Sequence, residues 1–271
     1  TGDGGDRSNR FVDIDEAIIK INQIYELAKT TSAQGIGRIR DDIRSVLKDI
    51  QENDGEWLKD AVLLNALGEA FGEAFLFEDA AKYYRLAAES GKAGAPIKAL
   101  EQLANCNIRL AVREYENNPA KYAASKAVIE KQIRDLNQLM VTVGETTERL
   151  SMVGSGYKRL ALISAEKSQK ACDSALKKME SAYQKAWKKG KDAYPLKNYL
   201  VAAIVQMLRS GVQPKDRLPE LRGLIEMVQD QARHNKLNAP DDFWANVGVT
   251  EAKFVDHLHR YSGGRSKSFT E

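Results

Sequence analysis

The chain has 271 residues, with 41 Lys and Arg against 38 Asp and Glu, which gives a formal net charge of +3. It contains 33 alanines but only 6 prolines, and aromatic residues make up 7%. This composition favours helices over strands, and the balanced charge gives no overall indication of nucleic-acid binding. No stretch reaches the roughly 18 consecutive apolar residues of a membrane-spanning helix, and no signal-peptide pattern is present.

The cysteines and the two ends of the chain suggest the setting of the protein. Cys106 and Cys172 are too few for a disulfide framework and each lies in a helical apolar pattern, which favours a reducing, cytoplasmic location. Because the chain begins with Thr1 rather than Met, we expect a processed or truncated part of a longer protein. Residues 1–10 and 262–271 are rich in glycine and charge, and we predict flexible tails there.

Between the tails, apolar residues recur at the helical spacing of three and four along nearly the whole chain. A first helix is predicted from about Ile14, with Asp13 and Glu16 as a capping pair. A second follows over about 36–50. Further helices are predicted over roughly 57–74, 78–90, 95–115, 119–142, 146–163, 168–189, 195–210, 218–236 and 241–260.

The helix ends and the breaks between helices also leave signals in the sequence. Gly91 and Gly190 follow helical runs at positions where a left-handed glycine commonly ends a helix. Asp54-Gly55 is the one hairpin-like dipeptide, but helical rather than alternating patterns flank it. We therefore predict no strand.

The segment 61–90 carries the spacing of a two-helix repeat. Its first helix has a small residue, Gly68, which lets the second helix approach closely, while Phe71 and Tyr84 fill the space between the two helices. The order large, Leu-Gly, aromatic, then Ala, aromatic, Ala is the pattern of tetratricopeptide repeats (TPRs). The positions that carry it are Leu64, Leu67, Gly68, Phe71, Ala80, Tyr84 and Ala87.

Two degraded copies of this pattern follow. The second begins 36 residues later with Leu100, Leu103 and Ala104. The third has longer helices, because 26 positions separate its two tyrosines where 13 separate Phe71 and Tyr84. Its positions are Leu150, Val153, Gly154, Tyr157, Met179, Tyr183 and Ala186.

The runs "ALGEAFGEAFLFEDAAKYYRLAAES", "ALEQLANCNIRLA", "ERLSMVGSGYKRLAL" and "AYPLKNYL" resemble bacterial TPR regions joined to caspase-like CHAT protease domains or to other effector domains. The resemblance covers about 57–210. It implies an all-α, right-handed TPR-like superhelix that recognises a protein and controls an effector, in bacterial defence or stress signalling. We expect helical caps over 11–56 and 211–261 on either side of the repeats.

The sequence offers no constellation for catalysis, so we predict no enzyme, no cofactor and no metal site. His257 and His259 are two apart on a predicted helix, whereas a helical metal pair needs a spacing of four. Neither cysteine has a histidine at a signature spacing. Thr1 could act as an N-terminal nucleophile only in a layered fold, which this sequence does not encode. The run "TGDGGD" is not a phosphate-binding loop, because no lysine follows it and no strand precedes it.

A basic stretch from Lys158 to Lys197 holds 11 basic residues against 4 acidic ones. Most of its lysines lie on one helix, whose other side is apolar, so they form either a solvated face or a contact surface for an acidic partner or for nucleic acid. We rank an acidic protein above nucleic acid. The candidate partner-binding lysines are Lys177, Lys178, Lys185 and Lys188.

Other candidate contacts lie on the first helices of the repeats. TPR domains that hold chaperone carboxylates place an asparagine after the small residue of successive first helices, but here those positions are Glu69, Asn105 and Ser155. A carboxylate clamp is therefore disfavoured, because Glu69 would repel a carboxylate. Asn105 either binds the backbone of an extended segment or satisfies a neighbouring helix end. The remaining candidates are Glu73, Arg109 and Tyr83, which adjoins Tyr84 and should face away from the core.

We predict a non-enzymatic recognition or regulatory module. Two alternatives remain open: a basic helical scaffold that binds nucleic acid, and the substrate-positioning part of an enzyme whose catalytic residues lie elsewhere. The three tryptophans, Trp57, Trp187 and Trp244, lie in amphipathic patterns and are expected to pack.

Overall fold

The computed structural model describes residues 11–31, 34–53, 55–90, 97–210, 217–238 and 243–262. Over these ranges the chain is almost wholly helical and forms no strand, which confirms the predicted all-α, TPR-like solenoid class. None of the helices in these ranges is both long enough and apolar enough to cross a membrane.

The chain forms eleven α-helices within the described ranges, with two short 3₁₀ helices at Gly55–Lys59 and Pro119–Lys121. The α-helices are α1 (Ile14–Thr30), α2 (Ile36–Asn53), α3 (Ala61–Glu73), α4 (Phe77–Glu89), α5 (Ile97–Asn117), α6 (Tyr122–Val143), α7 (Thr147–Ser164), α8 (Gln169–Gly190), α9 (Ala193–Ser210), α10 (Arg217–Asn238) and α11 (Phe243–Ser262).

The helices divide into two compact units, residues 1–110 and residues 111–271. We call them unit 1 and unit 2. The division falls inside α5, within the segment 57–210 that the sequence predicts as repeats. In unit 1, α3 packs on α4 and α1 packs on α2 and α3, whereas in unit 2 α7 packs on α6 and α8, and α9 packs on α8, α10 and α11.

Capping side chains fix where the early helices begin. Asp13 accepts a hydrogen bond from the backbone N–H of Glu16, and Glu16 accepts one from Val12, which confirms the predicted capping pair. The expected helix over 57–74 is shorter than predicted, because the Asp60 side chain accepts from two backbone N–H groups and starts α3 at Ala61. Gly55 begins a 3₁₀ helix, and its predicted turn partner Asp54 lies outside the described residues.

The end of α8 differs from the prediction for Gly190. The left-handed residue is Lys191, at φ 60°, whose N–H donates to the carbonyl of Trp187, while Gly190 is the last helical residue. Gly190 instead lets other side chains come close to its backbone. A Cβ at this position would lie 2.5 Å from Thr147 Oγ1 and from Asp192 Oδ2. The other predicted glycine cap, Gly91, lies outside the described residues, as do residues 1–10 and 263–271.

In unit 1, the hairpin of α3 and α4 has the predicted TPR packing. A Cβ placed on Gly68 would lie 2.7 Å from the ring of Tyr84, which is closer than carbon atoms normally pack. Tyr84 and Phe71 are both buried and fill the space between the two helices. The small residue is therefore required by the distance between α3 and the aromatic ring on α4.

The longer hairpin of α7 and α8 in unit 2 repeats this contact. A Cβ on Gly154 would lie 2.8 Å from the ring of Tyr183, and that ring is fully buried. The helices α7 and α8 have 18 and 22 residues, where α3 and α4 have 13 each. The extra turns account for the wider spacing of the third repeat while the glycine–tyrosine contact is kept.

The second copy of the pattern fits less well. Ala104 is buried as predicted, but Leu100 is 40% exposed. The start of α5 turns Ala99 and Cys106 into the core of unit 1 instead, so the apolar stripe of this helix is rotated away from Leu100.

The close contact at Gly68 predicts that adding one methyl group destabilises the fold. In Gly68→Ala, overpacking of about 1–3 kcal/mol should exceed the gain of up to about 1 kcal/mol in helix propensity. The matched control is Gly72→Ala on the same helix, where a Cβ meets nothing closer than 3.8 Å. Urea unfolding should show a loss of stability for Gly68→Ala and none for Gly72→Ala. Equal stabilities would contradict the packing.

Candidate functional site

Charged and polar side chains of α3 and α5 meet on one surface of unit 1. Glu69 forms an ion pair with Lys98 at 2.6 Å, and the Asn65 amide donates to the same carboxylate at 3.2 Å. Glu69 is mostly shielded from solvent, with 15% of its side chain exposed. Asn65 and Glu69 are four residues apart, so they share one helix face. The ion pair between Glu69 and Lys98 therefore ties α3, the first helix of one repeat, to α5, the first helix of the next.

One turn further along, Glu73 and Arg109 continue this surface. The guanidinium of Arg109 lies 4.9 Å from the ring centre of Phe77, a cation–π contact that holds the side chain in place. Burial raises the pKa of Glu73, while the nearby cations Lys29 and Arg109 oppose that shift. Burial also raises the pKa of Tyr25 on α1, and Glu69, Glu73 and Lys98 lie near enough to act on it, so α1 contributes to the same surface.

Asn105 is one turn from Arg109 on α5. Its amide donates a 3.3 Å hydrogen bond to Gln102 on the same helix, so it does not cap a neighbouring helix through this contact. We call the whole group the first-helix surface. Its residues are Tyr25, Lys29, Asn65, Glu69, Glu73, Lys98, Asn105 and Arg109.

Two polar atoms of the first-helix surface have no hydrogen-bond partner among the described residues. Asn65 Oδ1 and Arg109 Nε are both buried, and neither accepts or donates a hydrogen bond there. A buried polar group without a partner costs about 1–3 kcal/mol. This surface is thus kept polar at the expense of stability.

Tyr83 does not face away from the core as expected. It is 3% exposed and stacks on Phe71, with ring centres 5.3 Å apart and nearly parallel planes. Tyr83 and Tyr84 are adjacent and point in different directions from α4, but both side chains are buried by neighbouring residues. We therefore place Tyr83 in the packing of unit 1.

All four predicted lysines of α8 are exposed, as the amphipathic pattern indicates. Lys178 lies over the ring of Tyr157 on α7, with its Nζ atom 5.5 Å from the ring centre. The opposite side of α8 is buried against α7 and α9. The buried residues are Cys172, Ala175, Leu176, Met179, Ala182, Tyr183 and Ala186.

Four of the residues considered for chemistry, two cysteines and two histidines, lie in the described part of the structure. Both cysteines are buried and free, and burial raises the pKa of Cys106 to about 11 and also raises the pKa of Cys172. Few thiolates form at neutral pH under these conditions. The described part of the chain contains no cluster of three His, Cys, Asp or Glu side chains suited to a metal ion. His257 and His259 both lie on α11.

Two of the tryptophans pack against neighbouring side chains or lie partly buried. Trp187 stacks on Tyr199 at 6.4 Å, and Trp57 is partly buried in the 3₁₀ helix before α3. The side chain of Trp244 lies outside the described part of the structure.

Sequence reasoning missed Asn65 and Lys98. The spacing of four between Asn65 and Glu69 was a usable signal, because such residues are neighbours on a helix. The contact between Lys98 and Glu69 joins two helices across a connection, and no local pattern encodes it.

Comparison with known proteins supports the repeat assignment. Residues 76–203, from the start of α4 into α9, match the family described as Tetratricopeptide Repeats-Sensor. The match includes Asn105, Arg109 and all of α8, whereas Glu69 and Glu73 on α3 precede it. No curated protein matches the chain. This part of the chain is thus similar to tetratricopeptide repeats, in agreement with its all-α, TPR-like fold.

The burial of Glu73 predicts a pH-dependent stability. Because its pKa is raised, the folded state holds a proton that the unfolded chain releases, so this residue lowers stability as the pH rises above its ordinary value of 4.5. Glu73→Gln removes this contribution, and its stability relative to the parent should increase between about pH 4 and about pH 7.

Urea unfolding across that range measures the difference. The control is Glu52→Gln on the exposed side of α2, which should keep the parent's pH dependence. If Glu73→Gln also keeps that dependence, Glu73 is not buried as described.

Proposed function

We propose that this TPR chain is a non-enzymatic protein-recognition and regulatory module, acting in the cytoplasm on an effector domain that is fused to it or bound by it. A CHAT-type protease is one candidate effector, and bacterial defence or stress signalling is the setting that we propose. The sensor named in the family description supports a regulatory role.

The first-helix surface is the observation that carries this proposal. It presents partly buried charges of both signs and an amide at Asn105. Helical repeats bury a core only between neighbours and leave one side of their first helices open for a ligand. Polar groups held there contribute to specificity, since a partner that leaves them unpaired binds less tightly.

Catalysis is less well supported than recognition. The two thiols are buried with raised pKa values, Glu69 is ion-paired with Lys98, and Arg109 lies over the ring of Phe77. An amide and an ion-paired carboxylate suit hydrogen bonding to the backbone and side chains of a polypeptide. We assign Glu69, Glu73, Asn105 and Arg109 to this contact.

Asn105 allows a sharp test, because its hydrogen bond to Gln102 can be broken from either side. Asn105→Ala removes the amide that we expect to contact the partner, whereas Gln102→Ala breaks the same bond and leaves that amide in place. Affinity capture from native lysate, read by quantitative mass spectrometry, should show partner recovery reduced at least about fivefold for Asn105→Ala, which corresponds to about 1 kcal/mol. Gln102→Ala should capture as the parent does.

Two results would contradict the proposal. Equal recovery with both variants would mean that the amide makes no contact. Loss of every captured protein after nuclease treatment of the lysate would favour the nucleic-acid alternative.

A further inference from the structure

The exposed side of α8 carries six lysines along its length. Ser174 and Ser181 lie on this side in the two gaps of seven residues, about two turns each, whereas one turn or less separates Lys185 from Lys188 and Lys189. We call this group the α8 lysine face. Its exposed residues are Lys170, Ser174, Lys177, Lys178, Ser181, Lys185, Lys188 and Lys189.

The acidic residues of α8 do not neutralise this face. Asp173 binds Arg209 on α9 at 2.8 Å, and Glu180 accepts a hydrogen bond from Gln206 on α9. Both carboxylates are thus turned to the α9 side of the helix. Within the part of the chain that the structure describes, none of the six lysines forms an ion pair, and Lys178 lies over the ring of Tyr157.

A second helix of the same unit shows the contrasting arrangement. On α6, Lys126 is paired with Glu130 and Lys131 with Asp135. Just before it, Lys121 is paired with Glu114. A lysine-rich helix in this protein can therefore be balanced by its own acids, whereas α8 keeps Lys188 and Lys189 three and four residues after Lys185, which lowers helix stability by a few tenths of a kcal/mol per pair.

The chemistry of the face distinguishes between acidic partners. All six cations are lysines, with no arginine to bind phosphate in the bidentate manner, and no aromatic side chain is exposed among them to stack on bases. The chain as a whole carries only +3. From Lys170 to Lys188 the row is about 27 Å long. These features favour carboxylates on a protein segment over a nucleic acid.

We propose that the α8 lysine face is a docking surface for an acidic protein segment that presents carboxylates along about 27 Å. This assignment rests on the proposed recognition function, but it concerns a surface separate from Asn105. Ser181 lies at its centre. Lys177 and Lys178 are four and three residues before it, and Lys185 is four residues after it, so all three are its neighbours on the helix.

The test measures binding of the full chain to fluorescent poly-glutamate of about 18 residues, which is long enough to span the row. Fluorescence anisotropy should show Kd raised at least about tenfold when Lys177, Lys178 and Lys185 are all changed to Gln. The matched control changes Lys121, Lys126 and Lys131 to Gln, which removes the same charge from unit 2, and should alter Kd by less than about twofold. Gln and Lys have similar helix propensities, so circular dichroism should be unchanged in both.

Single substitutions at Ser181 give an independent measurement. Ser181→Asp places one negative charge among three lysines and should weaken poly-glutamate binding, whereas Ser181→Ala should not. Equal effects of the two triple variants, or of the two serine variants, would overturn the assignment.

A duplex DNA of similar charge separates the two classes of partner. Tighter binding to DNA than to poly-glutamate at physiological salt, with a steep salt dependence, would also overturn the assignment. If poly-glutamate binding fails while capture still depends on Asn105, only this inference is wrong. If capture ceases to depend on Asn105 while the lysines still bind poly-glutamate, the function assigned to the first-helix surface is wrong.

Discussion

The contact between a glycine and a tyrosine ring organises both units. Gly68 against Tyr84 in unit 1 and Gly154 against Tyr183 in unit 2 bring two helices closer than any side chain on the first helix would allow. Each tyrosine is buried, and burial raises its pKa, so the ring remains neutral over the whole physiological range. Dense packing of this kind does not tolerate added volume, which makes the contact a constraint on the register of each hairpin.

This register determines which side chains are left for recognition. With Gly68 turned to α4, Glu69 and Glu73 lie on the side of α3 that meets Lys98 and approaches Arg109. With Tyr183 turned to α7, the lysines of α8 face outward, and the acids Asp173 and Glu180 are taken up by α9. Both candidate surfaces therefore follow from the same hairpin packing, although one is of mixed charge and the other is positive.

Much of this could be predicted from the sequence, because helical periodicity and the glycine–aromatic spacing are local signals. The hairpins of Gly68 and Gly154 and the exposure of the α8 lysines follow from such signals. Leu100 and Tyr83 do not: which side of a helix is covered depends on neighbouring helices, and α5 turns Ala99 rather than Leu100 into the core. The close surroundings of Gly190 likewise depend on Thr147 at the start of α7, a residue far from it in sequence.

A double-mutant cycle between Gly154 and Tyr183 tests the central contact most directly. Gly154→Ala crowds the ring, Tyr183→Leu removes it, and the combination places the new methyl group in the space that the ring vacates. Because the two residues touch, the free energy of unfolding lost by the double variant should be smaller than the combined losses of the single variants by about 1 kcal/mol or more. Additivity within about 0.5 kcal/mol would mean that the two residues are independent, and would contradict the packing from which both surfaces are derived.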